Sequence, residues 1–267
     1  METKEYSILP VVVIYKTSIY DTQTYEKLIK RSNVGQFMIY DNSPEDYKQA
    51  DVPDNAIYVR DYANSGVSKA YNTACKFAIE HNYDRIMLLD QDTMFEYDLI
   101  EKASKCKSDI CAPQILLKNG NPFSPCQWKH LRIEGIKLTP GLYSLDEYFF
   151  VNSGLCISTE LFQKAGGYKE SIKMDFADYE FAKRLQRQHK QFEVLDSIAI
   201  QDFSNEECNI EKLFIRFRIY IDGAKEYEPS SVFDGIKIKW LVLLHTLSLT
   251  KRTKKILFIK QFIKSFL

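Results

Sequence analysis

The segment Met87-Leu88-Leu89-Asp90-Gln91-Asp92-Thr93 joins a short apolar run to two carboxylates one residue apart. Runs of this composition form buried parallel strands, and ligands in open α/β sheets collect beyond the carboxyl ends of such strands. Asp90 and Asp92 would leave that edge together as two hard oxygen donors. Such a pair suits Mg²⁺ or Mn²⁺, completed by water and by a substrate's own phosphates. The ligand this predicts is a nucleotide diphosphate. Aspartate is also common in plain surface turns after strands, so the spacing alone leaves that alternative open.

The elements that would position these carboxylates follow from periodicity. Over the first 115 residues, short apolar runs alternate with helical periods, the pattern of a βαβ sheet. Strands are expected at 8–15, 37–40, 56–59, 85–89 and 110–112, with helices at 22–31 (capped by Asp21 or Thr22), 68–81 and 97–107. Right-handed crossovers would bring the loops at 15–20, 41–44, 61–66 and 90–93 to one edge, within reach of one nucleotide. From 117 to 148 the pattern breaks into Gly, Pro and aromatic residues, which predicts hairpins or a substrate loop. A short apolar element at 148–151, a run at 155–158, a helix over 159–165 ended by Gly166-Gly167, an acidic-fronted helix over 175–188 and a late strand at 192–195 complete the reading.

Size and composition suit one α/β domain with an appendage: 267 residues, 45% hydrophobic and 27% charged,. The expected division is 1–205 for the catalytic body and 206–267 for a helical extension. The six cysteines (Cys75, Cys106, Cys111, Cys126, Cys156, Cys208) show neither Cys-x-x-Cys spacing nor clustering with the four histidines. That argues against zinc and for reduced thiols. Residues 1–6 lack a basic segment followed by an apolar one, so no secretory signal is expected and the location expected is the cytoplasm. The net charge of zero conceals an asymmetry: after Asp234 no acid follows, while eight lysines and arginines do. The body up to Asp234 is formally −8 and the tail +8.

Five motifs in order resemble glycosyltransferase family 2, and in particular its bacterial rhamnosyltransferase-like members. They are Tyr40-Asp41-Asn42-Ser43; Asn64-Ser65-Gly66-Val67-Ser68-Lys69-Ala70-Tyr71-Asn72; Asp90-Gln91-Asp92-Thr93; Asn152-Ser153-Gly154 with Gly166-Gly167-Tyr168; and the block Asp175-Phe176-Ala177-Asp178-Tyr179-Glu180 through Leu185. The resemblance spans about residues 6–205. It implies a GT-A fold, a mixed, mainly parallel central sheet flanked by helices, to which the sequence adds a C-terminal helical tail. It also implies a metal-dependent inverting transfer of a hexose, rhamnose as the first guess, from a dTDP-, UDP- or GDP-linked sugar to a glycan or polyprenyl-linked acceptor in cell-surface polysaccharide synthesis.

On this resemblance Asp178 is the general base that takes the acceptor's proton, with Asp175 in support. Tyr15, Asp41, Asn64, Gly66, Asn72, Asp90 and Gln91 would hold the nucleotide-sugar. Asn152, Ser153, Gly154 and Glu180 would lie on the acceptor side, and Asp90 and Asp92 would hold Mg²⁺ or Mn²⁺. Each has a structural alternative: an Asx turn at Asp41, a helix cap at Asn64, helix-dipole compensation at Asp178, and an i, i+4 pair between Glu180 and Arg184. One departure stands out, because relatives carry a histidine after the late strand where this chain has Gln201-Asp202. Asp202 is the candidate third metal contact. A non-catalytic glycan-binding protein with a degenerate site is the competing reading. The tail, with Trp240, Phe258, Phe262 and Phe266 among its basic residues, is expected to lie on an anionic membrane surface, or alternatively to pack on the acidic body or a second copy.

Overall fold

The computed structural model describes residues 5–48, 51–202 and 209–266. The apolar runs of the three inner leading strands are buried on both faces, whereas the edge strand at 56–60 is half-exposed. β1 (Ile8–Ile14), β2 (Phe37–Asp41), β3 (Ala56–Arg60) and β4 (Arg85–Asp90) pair in parallel in the order β3-β2-β1-β4. Next come β5 (Met94–Phe95), β6 (Ile110–Leu117), β7 (Pro122–Ser124), β8 (Cys126–Lys129), β9 (Arg132–Gly135), β10 (Gly141–Ser144), β11 (Tyr148–Phe149), β12 (Cys156–Ser158) and β13 (Gln191–Gln201). The main sheet runs β10-β13-β6-β12-β4-β1-β2-β3, with β5 on β13 and β7 on β6. Antiparallel β12 separates the parallel pair β6 and β13 from the four leading strands, so the sheet is mixed. β11, β8 and β9 make a second, small antiparallel sheet from the Gly/Pro/aromatic region.

The helices are α1 (Gln23–Lys27), α2 (Val67–Glu80), α3 (Leu99–Lys105), α4 (Thr159–Lys164), α5 (Ala177–Gln188), α6 (Ile210–Glu226), α7 (Val232–Thr253) and α8 (Leu257–Phe266). Thr22 caps α1 by accepting from the Tyr25 amide, as its hydroxyl type favours,. The helix expected over 22–31 nevertheless ends at Lys27 and tightens into a 3-10 turn, Ile29–Arg31, that seats Leu28 and Ile29 in the core. The late strand is far longer than the expected 192–195. A register shift against β6 between Val194 and Ile198 absorbs the polar Asp196-Ser197 and lets pairing continue to Gln201,.

Alternation along the strands divides the core in two. Ile86 and Leu88 of β4 face the cluster that holds α2, α5 and the C-terminal helices, whereas Met87 and Leu89 face the side of Leu28, Leu99 and Ala103. The tail belongs to the first cluster. Phe217, Val242 and Phe258 are fully buried there, and Phe262 and Phe266 pack against it. This corrects the expectation that Phe258, Phe262 and Phe266 face a membrane and agrees with the alternative that the tail packs on the body. Among the apolar residues left outward, Val232, Phe233, Ile236 and Trp240 lie together on one side of the first turns of α7, with Ile215, Leu247, Ile256 and Ile263 exposed elsewhere. Among the described residues no helix is long and apolar enough to cross a membrane.

Candidate active site

The parallel strands end along one edge, and their register fixes which carboxylates meet. Val13 pairs with Asp90 on one side of β1 and Ile14 with Asp41 on the other, so the two acids flank the end of β1. Two strand spacings, about 10 Å, separate them. Strand parity sets their faces: Asp90 continues the Ile86 and Leu88 side, and Asp41 continues the opposite side of Phe37 and Ile39,.

Asp90 is the last residue of β4 and Asp92 the exposed tip of the turn that follows. Burial, and then the charge of Asp92, push the Asp90 carboxyl up to about 6, offset in part by a hydrogen bond from Ser153. Neighbouring groups brace this turn closely. Gln91 accepts from the Tyr15 amide at 2.8 Å, tying the end of β1 to it. The Thr93 hydroxyl meets Ser153 Oγ at 2.9 Å and donates to Gln201 Oε1, and Gln201 Nε2 donates to Asp92 Oδ1 at 3.2 Å. Gln201, one of the two residues at the place where the resemblance implies a histidine, therefore reaches Asp92 through a neutral amide. Asp202 points elsewhere, into an ion pair with Lys118. Among the described residues no third His, Cys, Asp or Glu joins Asp90 and Asp92. The expectation of Asp202 as a metal contact is corrected accordingly. Two carboxylates whose mutual repulsion a cation would relieve still fit Mg²⁺ or Mn²⁺, ions that commonly take one or two carboxylates and draw the rest from phosphates and water.

Asp178 lies in the first turn of α5, on the same face of the sheet as Asp90. Burial pushes its carboxyl up to about 7; the Tyr179 amide, donating to Oδ1 at 2.9 Å, opposes this, and the charges of Asp175 and Asp90 add to it. Asp175 is not on the helix as expected. The chain turns at Phe176, whose φ of +73° is rare for an aromatic residue, and α5 begins at Ala177,. The Phe176 ring is buried near Tyr179 and Tyr220, which holds the turn. Asp175 instead faces α6, with both oxygens 3.3 Å from the Arg216 guanidinium. Glu180 is buried, and both its oxygens are held by Arg184, at 2.6 and 2.7 Å. Arg184 also donates to the Ala165 carbonyl, so this pair anchors α5 to the end of α4.

The remaining expected residues serve more local purposes. Asp41 is fully buried, accepting from the Ser43 amide at 2.8 Å, the Tyr58 hydroxyl at 2.7 Å and Arg60. It forms the Asx turn and a buried ion pair rather than leaving an oxygen open at the strand edge. Asn72 likewise is spent on the Gly167-Tyr168 loop: its amide accepts from the Tyr168 amide at 2.7 Å and donates to the Tyr168 carbonyl at 2.9 Å. Asn64 is exposed with φ +47°, and its side chain does not cap α2. At Gly66 a close approach is present, but the group that approaches is protein. A Cβ there would sit 2.1 Å from the Lys173 carbonyl, to which the Val67 amide donates at 2.8 Å. Tyr15 is 44% exposed at the strand edge. Asn152 accepts from the Tyr168 hydroxyl at 2.6 Å, and Gly154, φ +78°, packs against Pro113.

Comparison with known proteins now places the architecture. Over 128 residues the chain is 27% identical to the dTDP-rhamnosyl transferase RfbF of Shigella flexneri, a match covering 45% of this chain and 43% of that protein. Among solved structures, GalNAc-T7 determined with UDP, GalNAc and Mn²⁺ superposes with a TM-score of 0.55 at 11% identity, over 76% of this chain and 45% of that one. TarS of S. aureus, residues 1–349, gives 0.52 at 14% identity, over 88% and 69%. The fold is that of the GT-A glycosyltransferases. In sequence the chain is rhamnosyltransferase-like, although it spans less than half of the curated relative it matches. No family model matches it.

Within this GT-A fold, two residues near the carboxylates were given no role by the motifs. Tyr71 is fully buried, its hydroxyl has no hydrogen-bond partner, and burial, then the charges of Asp90, Tyr168 and Asp178, raise its pKa. Asp61, at the end of β3, accepts from Tyr40 at 3.0 Å and from the Ala63 and Ser65 amides at 3.1 and 3.0 Å. Burial acts to raise its pKa, but the Ser65 hydroxyl, followed by these bonds, outweighs it and holds the carboxyl below its ordinary value. The signal for Tyr71 lay in helix spacing: Ser68, Tyr71, Cys75 and Ala78 form the buried stripe of α2, and only Tyr71 carries a bulky polar group inward,.

Proposed function

We propose that the chain is a metal-dependent, inverting glycosyltransferase of family 2 that moves a hexose, with rhamnose as the leading candidate, from a nucleotide-diphosphate sugar to a glycan or lipid-linked acceptor. The observation that carries this reading is one face of the sheet bearing both Asp90, at the strand end, and Asp178, at the start of α5. Their pKa values are raised to about 6 and about 7. Asp90 and Asp92 would hold Mg²⁺ or Mn²⁺, which neutralises charge on the leaving diphosphate. Asp178, titrating near neutrality, suits a general base that must gain a proton from an attacking hydroxyl and lose it again. Backside attack on the anomeric carbon by that hydroxyl gives inversion.

The similar proteins support the donor side. RfbF is named a dTDP-rhamnosyl transferase, TarS has been crystallised with UDP and with UDP-GlcNAc, and GalNAc-T7 with UDP and Mn²⁺. In this reading 1–205 is the catalytic unit and 206–267 an extension that brings the basic tail to the anionic inner face of the cytoplasmic membrane, where a polyprenyl-linked acceptor lies. Thermal stability measured against dTDP-, UDP- and GDP-sugars with Mg²⁺ or Mn²⁺ tests the proposal, because a ligand of the native state raises the midpoint by mass action. A metal-dependent rise that is largest for dTDP-rhamnose is expected. No rise with any donor would overturn it.

A further inference from the structure

The small sheet has a use that the donor site does not explain. Between it, α5 and α7 lies a cavity of about 500 Å³, within the range of small-molecule sites,. Its walls combine aromatic rings (Trp128, Tyr148 and Tyr179), amide side chains (Gln127 and Gln186) and charged groups, among them Glu147 and Lys237. The rings are held in place by their neighbours. Tyr148 meets Tyr143 edge-on at 5.8 Å, Tyr179 meets Phe149 edge-on at 5.0 Å, and the Lys237 ammonium lies 5.0 Å over the face of Trp128.

This mixture matches the chemistry of a pyranose. The C–H face of a sugar ring is apolar with a slight positive edge and rests on the negative face of an aromatic ring, while its hydroxyls need amides, carboxylates and ammonium groups around the rim. Gln186 already donates to the Leu145 carbonyl, but a purely apolar ligand would desolvate Gln127 and Glu147 without giving them partners,. The cavity is also placed beside the proposed chemistry. Tyr179 follows Asp178 in the chain, and the charge of Asp178 is felt at Cys126, where β8 begins. Asp178 itself is not part of the cavity wall, which continues along α5 through Ala182, Lys183 and Gln186.

We propose that this cavity is a subsite for a sugar ring of the acceptor, one unit removed from the ring whose hydroxyl reacts, so that the acceptor is a glycan of at least two units. The inference rests on the glycosyl-transfer reading for its role and on the cavity alone for its ligand class. Because the chain has two tryptophans, Trp240→Phe leaves Trp128 as a single fluorescent reporter in the full chain. Methyl rhamnoside, methyl glucoside, N-acetylglucosamine and rhamnose-containing disaccharides, titrated into this variant, should change Trp128 emission saturably, with a disaccharide binding more tightly than its component units. Nucleotide binding, followed separately by calorimetry, distinguishes the two claims. Saccharide binding without nucleotide binding would sink the transferase reading and keep the subsite, and nucleotide binding without any saccharide response would do the reverse. With an active donor and acceptor, Tyr148→Ala and Lys237→Ala should raise the acceptor KM about tenfold, the loss expected for one well-packed aromatic or cationic contact. Hydrolysis of the donor by water should stay unchanged. Folded variants with an unaltered acceptor KM would overturn the subsite.

Discussion

Replacing Asp178 with asparagine should make the protein more stable and nearly inactive at once. The carboxyl sits at about 7 in the fold against 3.8 for an unperturbed side chain. A raised carboxylate pKa means that the folded state resists ionisation. Its contribution is therefore most favourable below the unfolded value and is lost as pH rises toward the folded one. At pH 8 a shift of that size corresponds to an upper bound of about 4 kcal/mol of stability given up by the ionised native protein. Asp178 is only partly covered, and solvent access reduces this to roughly 2–3 kcal/mol. Asparagine keeps the shape and can still accept from the Tyr179 amide. Denaturant melts of the two proteins should diverge by that amount at pH 8, converge below about pH 4, and change most steeply between those limits. Transfer should fall by about 10²–10⁴-fold in the variant, and wild-type kcat/KM should decline with decreasing pH through about 7. Equal stability of the two proteins at pH 8 would show that Asp178 is not a desolvated carboxylate. Unimpaired turnover would move the base elsewhere.

Four further outcomes are expected. Asp92→Ala, and to a smaller extent Asp90→Ala, should abolish metal-dependent nucleotide binding with the fold intact, as judged by calorimetry with saturating Mn²⁺. Gln201→Glu should tighten Mn²⁺ binding roughly tenfold, since it places a third carboxylate beside Asp92,; unchanged affinity would argue that the cation does not sit there. Gly66→Ala should cost about 2–3 kcal/mol in melts, because φ is +96° and the new Cβ would meet the Lys173 carbonyl,. Charge reversal of Lys251, Lys254 and Lys255 to Glu should release the full chain from anionic vesicles, each site near the surface being worth up to about 1 kcal/mol; truncation after Asp234 is a poorer test, because it removes the buried Val242 and Phe258 from the core.

The sequence by itself determined the four leading parallel strands, the edge at which they end and the carboxylates at that edge. Local information suffices there: a β-branched apolar run of five to seven residues bounded by polar turns suits a strand better than a helix, and Asp90-Gln91-Asp92 then falls just outside it. It likewise carried the Glu180–Arg184 pair, four residues apart on one helix. What the sequence could not decide is how distant segments use the same polar groups. Asp41 and Asn72 have the right types and spacing for ligand contacts, yet Arg60 with Tyr58 in one case and the backbone at Tyr168 in the other take up their hydrogen bonds. The length of β13 depended on a bulge against β6, and the start of α5 on a left-handed turn at Phe176, whose ring is buried. The tail shows the same limit. Its mixture of basic and aromatic residues is equally compatible with a lipid surface and with a protein core, and the packing of α7 and α8 onto α6 turned Phe258 inward against Phe214 and Phe217 and left Val232, Phe233, Ile236 and Trp240 outside. Side-chain type sets what a residue can bond to; which of those bonds forms depends on tertiary neighbours that compete for it.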